Sequence, residues 1–369
     1  MKSYLEFEKE IKTLETDLES LQSPFGSEGI SEVDTQKITK TEEQINEKLK
    51  ITYANLNSWQ RTLVARHEDR PRTNFYIKKI FSSFTTLSGD RLFSDDKAVI
   101  AGFGLIDNKS VLVIGQEKGE DLTSRIERNF GMMRPEGYRK CIRLMQLANR
   151  FQIPIITFID TPGAYPGIGA EQRGQAAAIA TSIECSMSLK VPNISIVIGE
   201  GGSGGAIALA SSNKVIMLQN SIYSVISPEG CASILWRDPS KSLQAAEAMK
   251  LTAKDLLELG IIDEVIEEPL GGAHRDRETM TQEIRHSIIK NLRYFENLSR
   301  DEVYDNRKVK FLKIGRERGF AESANLNDIG LGYKESYFDK ARREFNKKQY
   351  IYYGLIAFLF ALITVITVV

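Results

Sequence analysis

Two glycine-rich segments hold the residues of this chain best suited to chemistry. The first is DTPGAYPGIGAEQRG, residues 160–174, and the second is GEGGSGGA, residues 199–206. Each follows a strand-like apolar run, IPIITFID (153–160) and ISIVIGE (194–200), and each leads into a helical pattern. Five glycines in the second segment let the backbone approach a ligand closely, and free amides at a helix start bind oxyanions. If the two strands are neighbours in one parallel layer, a right-handed crossover puts both loops on one edge, flanking a single cleft.

Several chemistries compete for such loops. Gly201-Gly202-Ser203-Gly204-Gly205 satisfies the G-x-S-x-G elbow of serine hydrolases. A triad also needs a histidine after the serine, and only His274, in GGAHRDRE, and His286, in EIRHSIIK, qualify. Neither is flanked like a catalytic base at a strand end, and any serine within a run of glycines would produce the motif. A P-loop requires Gly-Lys-Ser/Thr, which is missing, and the dinucleotide fingerprint lacks its spacing and its acidic partner. Backbone donors remain, with no evident side-chain nucleophile and no metal. That suits chemistry through an enolate, in which preorganised amides stabilise oxygen charge and the reactants are positioned rather than covalently activated.

The elements needed to position these loops are legible. Residues 97–106 and 110–116 read as a hairpin around a three-residue loop, Asp107-Asn108-Lys109. A helix opens at Pro135 with the stripe Tyr138, Cys141, Ile142, Met145 and Ala148. One helix is expected over about 170–189, then a short small-residue helix after the second loop, strands KVIMLQN and SIYSVIS, and a helix opened by Ser227 and Pro228. Buried strands alternating with helices to about Val265 predict a mostly parallel α/β arrangement. Ahead of it, Phe7, Ile11, Leu14, Leu18 and Leu21 form one helical stripe and Ile38, Ile45, Leu49 and Leu56 a second, separated by SPFGSEGIS, so an α-helical hairpin is expected.

The 369 residues are 42% hydrophobic and 27% charged, ordinary for a globular enzyme. Lys plus Arg and Asp plus Glu are equal at 49 each, and no basic cluster is interleaved with aromatics, which argues against nucleic-acid binding. Cys141, Cys185 and Cys231 are scattered and fit neither a disulfide framework nor a zinc ribbon. MKSYLEFEKE is neither a secretory signal nor a transit peptide. From Tyr350 to Val369 no residue is charged, a length able to cross a hydrocarbon core of about 30 Å as a single transmembrane helix. Arg342, Arg343, Lys347 and Lys348 precede it on what would be the cytoplasmic side. The expected organisation is a helical hairpin over 1–60, a catalytic domain over 61–316, a polar linker over 317–349 and the membrane segment over 350–369.

RPEGYRK, FIDTPGAYPGIGAEQRGQ, VIGEGGSGGAIALA and YSVISPEGCASILWRD, all between Arg134 and Asp238, closely resemble the alpha-subunit family of bacterial and plastid acetyl-CoA carboxylase carboxyltransferases. The resemblance covers roughly residues 1–316. It implies a crotonase-like fold of repeated ββα units and transfer of a carboxyl group from carboxybiotin to acetyl-CoA, giving malonyl-CoA, the first committed step of fatty acid biosynthesis. It implies a homologous zinc-ribbon beta subunit in an α2β2 assembly, with the active site at the interface. It further implies that the biotin carboxyl carrier protein delivers the biotin, that a separate biotin carboxylase uses the ATP, and that no cofactor is held covalently by this chain. The family's oxyanion amides map to Gly204, Gly205 and Ala206, and its biotin side to Gly163, Ala164, Tyr165 and Gly167. Members are expected to end near KFLKIGRERG, so the tail is a departure. The implied location is the cytoplasm, or the stroma for a plastid-encoded chain, tethered to a membrane by that tail.

Overall fold

The computed structural model describes residues 3–23, 25–26, 29–30 and 34–315. The anticipated linker and the transmembrane segment 350–369 lie outside the described residues. Among the described residues no helix is long and apolar enough to cross a membrane.

The N-terminal stripes form α1 (Lys9–Gln22) and α2 (Thr35–Ala54), which pack together through Ile11, Ile45 and Leu49. Between them the expected break holds two paired strands, β1 (Phe25–Gly26) and β2 (Gly29–Ile30). Two short helices, α3 (Ser58–Ala65) and α4 (Thr73–Ile80), lead into the main sheet. Its strands are β3 (Ser82–Thr86), β4 (Val99–Ile106), β5 (Lys109–Gln116), β6 (Ile155–Thr161), β7 (Asn193–Gly202), β8 (Lys214–Leu218), β9 (Ile222–Ser224) and β10 (Glu264–Ile266).

Their spatial order is β10-β8-β7-β6-β5-β4-β3, with β9 paired to the end of β7. From β5 through β10 the pairing is parallel, whereas β3, β4 and β5 are antiparallel, so the sheet is mixed. The β4–β5 connection is tighter than its sequence suggested. Ile106 pairs directly with Lys109, leaving a two-residue turn in which Asp107 (φ 50°) and Asn108 (φ 59°) both take the left-handed conformation. Asp and Asn tolerate that conformation, and the twist of such a turn matches that of the strands.

Helices cover both faces. On one lie α6 (Pro135–Phe151), α8 (Gln175–Ser188) and α9 (Ser203–Ala210), and the short helices α5 (Leu122–Glu127) and α7 (Ile168–Gln172) come before α6 and α8 in the chain. The single helix expected over 170–189 is two, because Gly174 adopts φ 79° and ends the first. The chain continues through α10 (Pro228–Trp236), α11 (Ser242–Met249) and α12 (Ala253–Glu258) to two long helices, α13 (Arg277–Glu296) and α14 (Arg300–Lys313).

Strands β6 and β7 are buried along their whole length, the signature of central parallel strands covered on both sides. Ile155, Ile159 and Val197 face a core completed by Tyr138, Leu144 and Met145 of α6. Ile156, Phe158, Ile194, Ile196 and Ile198 face the other, completed by Tyr76 and Ile77 of α4 and Met280, Ile284 and Ile288 of α13. Each fully buried side chain of this size contributes about 2 kcal/mol. On the first face Thr157 donates to Ser195 Oγ (2.6 Å) and Ser195 donates to the Leu209 carbonyl (2.8 Å), which docks α9 onto the sheet.

The described residues up to Ile314 fall in one compact unit. Arg275 joins the helical hairpin to the body: it reaches Glu8 (3.3 Å) and Glu15 (2.8 Å), while Tyr53 also donates to Glu8 (2.9 Å). Removing a cation that serves two buried carboxylates costs about 3 kcal/mol. Arg275→Ala is therefore expected to raise amide exchange in α1 and α2 by about a hundredfold while β6 and β7 remain protected. Unchanged exchange in both helices would refute this role.

Candidate active site

Strands β6 and β7 lie side by side in parallel, so both glycine loops leave the same edge of the sheet. Their pairing is regular from Ile155↔Asn193 to Ile159↔Val197 and then shifts, so that Thr161 pairs with Gly201. The extra residues of β7 turn Glu200 out of register, beside Asp160.

Backbone meets backbone across the two loops. A Cβ on Gly202 would stand 2.1 Å from the Pro162 carbonyl oxygen, and one on Gly205 would stand 2.6 Å from the Gly163 carbonyl carbon and 2.9 Å from the Ala164 nitrogen. Only glycine fits there. Ser203 opens α9 with φ 54°, a sharp strand-to-helix turn. The amides of Gly204 and Gly205 fall in the first turn, where a helix supplies no acceptor. Gly204 is half-buried, Gly205 is buried, and Ala206 is fully buried at the following position.

The first loop is shaped by internal bonds. Thr161 donates to the Gly163 carbonyl (2.7 Å) and accepts from the Gly163 amide (3.2 Å), and the Tyr165 amide donates to the Met133 carbonyl (3.1 Å). Gln175 donates to the Tyr165 carbonyl (3.0 Å), and the Arg134 guanidinium lies 4.7 Å from the Tyr165 ring centre. Gly167 permits this: a Cβ there would stand 2.3 Å from that ring. The Gly163 and Tyr165 amides are thus occupied, and the loop presents shape and an aromatic ring. The structure brings Gly163 and Ala164 against Gly205, with Tyr165 and Gly167 packed on each other beside them.

The residues that the sequence did not single out lie beneath the loops. Lys118 bridges Asp160 (2.8 Å) and Glu200 (2.5 Å). Arg72 pairs with Asp160 (3.1 Å), and Arg66 joins Glu200 (2.6 Å) to Glu229 (2.5 Å) at the start of α10. Asp160 also accepts from the Glu200 amide (3.0 Å). Burial alone would push the Asp160 carboxyl up, but Lys118 and then Arg72 outweigh it and hold it below the usual carboxylate range. Glu200 is likewise raised by burial and brought down further by Lys118 and Arg66. The available signals were acidic residues ending two buried strands and the arginines of ARHEDRPR, residues 65–72.

The competing nucleophiles are badly placed. His274 stacks on His67 with ring centres 3.9 Å apart, and burial together with His67 pulls its pKa down to about 2. His286 lines a surface cavity with Asp107 and Arg293, beside the turn that begins β5 and so at the opposite end of the sheet from the loops. Among the described residues neither histidine hydrogen-bonds Ser203. Burial pushes the Cys141 and Cys185 thiols up to about 12 and about 11. Among the described residues no three His, Cys, Asp or Glu side chains converge as a metal site would require.

Both depressed carboxylates add stability that is present above their unfolded pKa near ~4 and lost as pH falls through the lower folded value. Asp160→Asn leaves two buried cations short of a partner and should cost about 3–5 kcal/mol at pH 7. It should also flatten the loss of stability below pH ~4. Urea unfolding across pH tests both, and an unchanged midpoint at pH 7 would contradict the ionic account.

The family model described as acetyl co-enzyme A carboxylase carboxyltransferase-like matches residues 4–315. The acetyl-coenzyme A carboxylase carboxyl transferase subunit alpha of Pelagibacter ubique is 61% identical over 363 residues, covering 97% of this chain and 98% of its own. That of Zymomonas mobilis is 51% identical over 315 residues, 85% of this chain and 100% of its own. The Zymomonas protein is as short as expected, but the Pelagibacter match runs on through most of the tail, so the extension is not peculiar to this chain. Among solved structures, a Pseudomonas malonate decarboxylase hetero-tetramer in complex with coenzyme A shares the fold, with TM-score 0.50 at 14% identity over 63% of this chain and 91% of that one. The expected α/β crotonase-like carboxyltransferase fold stands. By its matched length and its relatives, the chain belongs to the acetyl-CoA carboxylase carboxyltransferase alpha-subunit family.

Proposed function

We propose that the sheet edge where the two glycine loops meet is the carboxybiotin side of the transferase site. The chain is an alpha-type subunit of acetyl-CoA carboxylase carboxyltransferase, which moves a carboxyl group from biotin to acetyl-CoA and yields malonyl-CoA. The observation that carries this reading is the close approach of Gly205 to Gly163 and Ala164 at the ends of adjacent parallel strands, which puts both loops at one edge of the sheet.

In this reaction the bond between carboxyl and biotin nitrogen breaks, the acetyl methyl gives up a proton that the released biotin ureido takes up, and a carbon–carbon bond forms between that methyl carbon and the carboxyl carbon. Negative charge develops on the biotin ureido oxygen as the carboxyl departs. Amides of Gly204 and Gly205, fixed before the charge arrives, stabilise it without reorganising. Ala206, buried behind them, closes the turn. Gly163, Ala164, Tyr165 and Gly167 form the wall against which the bicyclic ring rests. The enolate oxygen of acetyl-CoA belongs to a zinc-ribbon beta subunit, with which this chain forms an α2β2 assembly. Biotin arrives on its carrier protein after a separate biotin carboxylase has loaded it.

The uncharged segment 350–369 supports a further reading, that the tail tethers the complex to a membrane with the catalytic body on the side of Lys347 and Lys348. Deleting Tyr350–Val369 should release the protein from membranes and leave carboxyl transfer nearly intact. Full-length protein in the carbonate supernatant would refute the anchor.

The test of the site is co-expression with the beta chain. The purified pair is expected to move the carboxyl group of malonyl-CoA to free biotin, and Gly205→Ala should lower kcat by roughly a hundredfold or more with the subunits still assembled. An active monomer, or a Gly205→Ala pair with unchanged kcat, would overturn the reading.

A further inference from the structure

The two loops also share a partner that neither contains. Gln116, the last residue of β5, is fully buried. Its side-chain NH2 donates to the Gly205 carbonyl (2.7 Å) and its side-chain oxygen accepts from the Asp160 amide (3.3 Å). Both partners are backbone groups, one an acceptor and the other a donor, so only one orientation of the amide satisfies both. One planar group therefore ties the start of α9 to the end of β6.

Gln116 is itself held rigidly. Thr73 donates to its carbonyl (2.5 Å), and a Cβ on the preceding Gly115 would stand 2.2 Å from Thr73 Cγ2. A shift of this side chain would move Gly205 relative to Gly163 and with it the first turn of α9. Misplacement of preorganised donors by a fraction of an ångström weakens them where charge develops, not where substrate docks.

We infer that Gln116 is a positioning residue for carboxyl transfer, setting the register between the two glycine loops through Gly205 and Asp160. This rests on the carboxyl-transfer reading of the two loops. Its signature is a loss in kcat rather than in KM, since Gln116 touches no substrate.

Two variants separate this from a bulk structural role. Gln116→Met keeps length and removes both bonds, and should lower kcat about tenfold or more with KM for malonyl-CoA within about twofold. Gln116→Glu keeps the acceptor, and regains the donor only when its carboxyl is protonated. The groups around that site are Asp160 on β6, Glu200 on β7, Lys118 and Glu117 beyond β5, and Arg72 before α4. All are common to both proteins, so the ratio of Gln116→Glu to wild-type kcat isolates the new group. That ratio should rise as pH falls from about 8.5 to about 6.

The assay uses the wild-type alpha–beta pair as reference. A wild-type pair without transfer would sink the functional reading itself. Given an active wild type, Gln116→Met at wild-type kcat, a flat Gln116→Glu ratio, or activity lost only in proportion to dissociated complex on a sizing column would each overturn the positioning role.

Discussion

A single ammonium group between two carboxylates sets the rest of the site. Lys118 lies between Asp160 at the end of β6 and Glu200 at the end of β7, and all three side chains are nearly excluded from water. Charges in such a place are costly unless paired and hydrogen-bonded, and here each is. Arg72 and Arg66 extend the chain of charges, the latter as far as Glu229 on α10. An apolar floor of the same volume could be as stable, but it would not dictate where one strand end lies relative to the next. Opposed charges with fixed donors do.

Above this floor the loops are as close as peptide backbones can be. Gly202 against Pro162 and Gly205 against Gly163 leave no room for a methyl group. The glycines therefore serve proximity more than flexibility, and only Gly174 and Ser203 within these loops use the left-handed region. The charged floor and the crowded contact together fix the amides of Gly204 and Gly205 in place, and on the proposed reading such preorganised donors are where an oxyanion site gains over water.

Much of this was legible in the sequence because it depends on local pattern. IPIITFID and ISIVIGE are long apolar runs, and the glycine loops after them carry strong turn chemistry, so strands, loops and edge were readable together. Pro135 marked α6, and Ser227 caps α10 as expected, accepting from the Gly230 amide (3.1 Å). The β4–β5 turn was read one residue too long because a Lys beside Asp-Asn looks like loop, while strand twist favours the two-residue form. The ionic floor was not legible. Its members come from Arg66, Arg72, Lys118, Asp160, Glu200 and Glu229, separated by up to 163 residues between Arg66 and Glu229, and nothing local distinguishes a buried ion pair from a solvated one.

At the centre of the account stands one claim, that backbone amides and not a side-chain nucleophile do this chain's share of the work. Ser203 is the residue on which it turns, since it occupies the strand-to-helix corner where a hydrolase would hold its nucleophile. The direct measurement is kcat for carboxyl transfer from malonyl-CoA to biotin by the assembled alpha–beta pair carrying Ser203→Ala. The account predicts a rate within about threefold of wild type, because alanine keeps the backbone and every amide; a fall of more than roughly a hundredfold, the scale of a lost nucleophile, would contradict it.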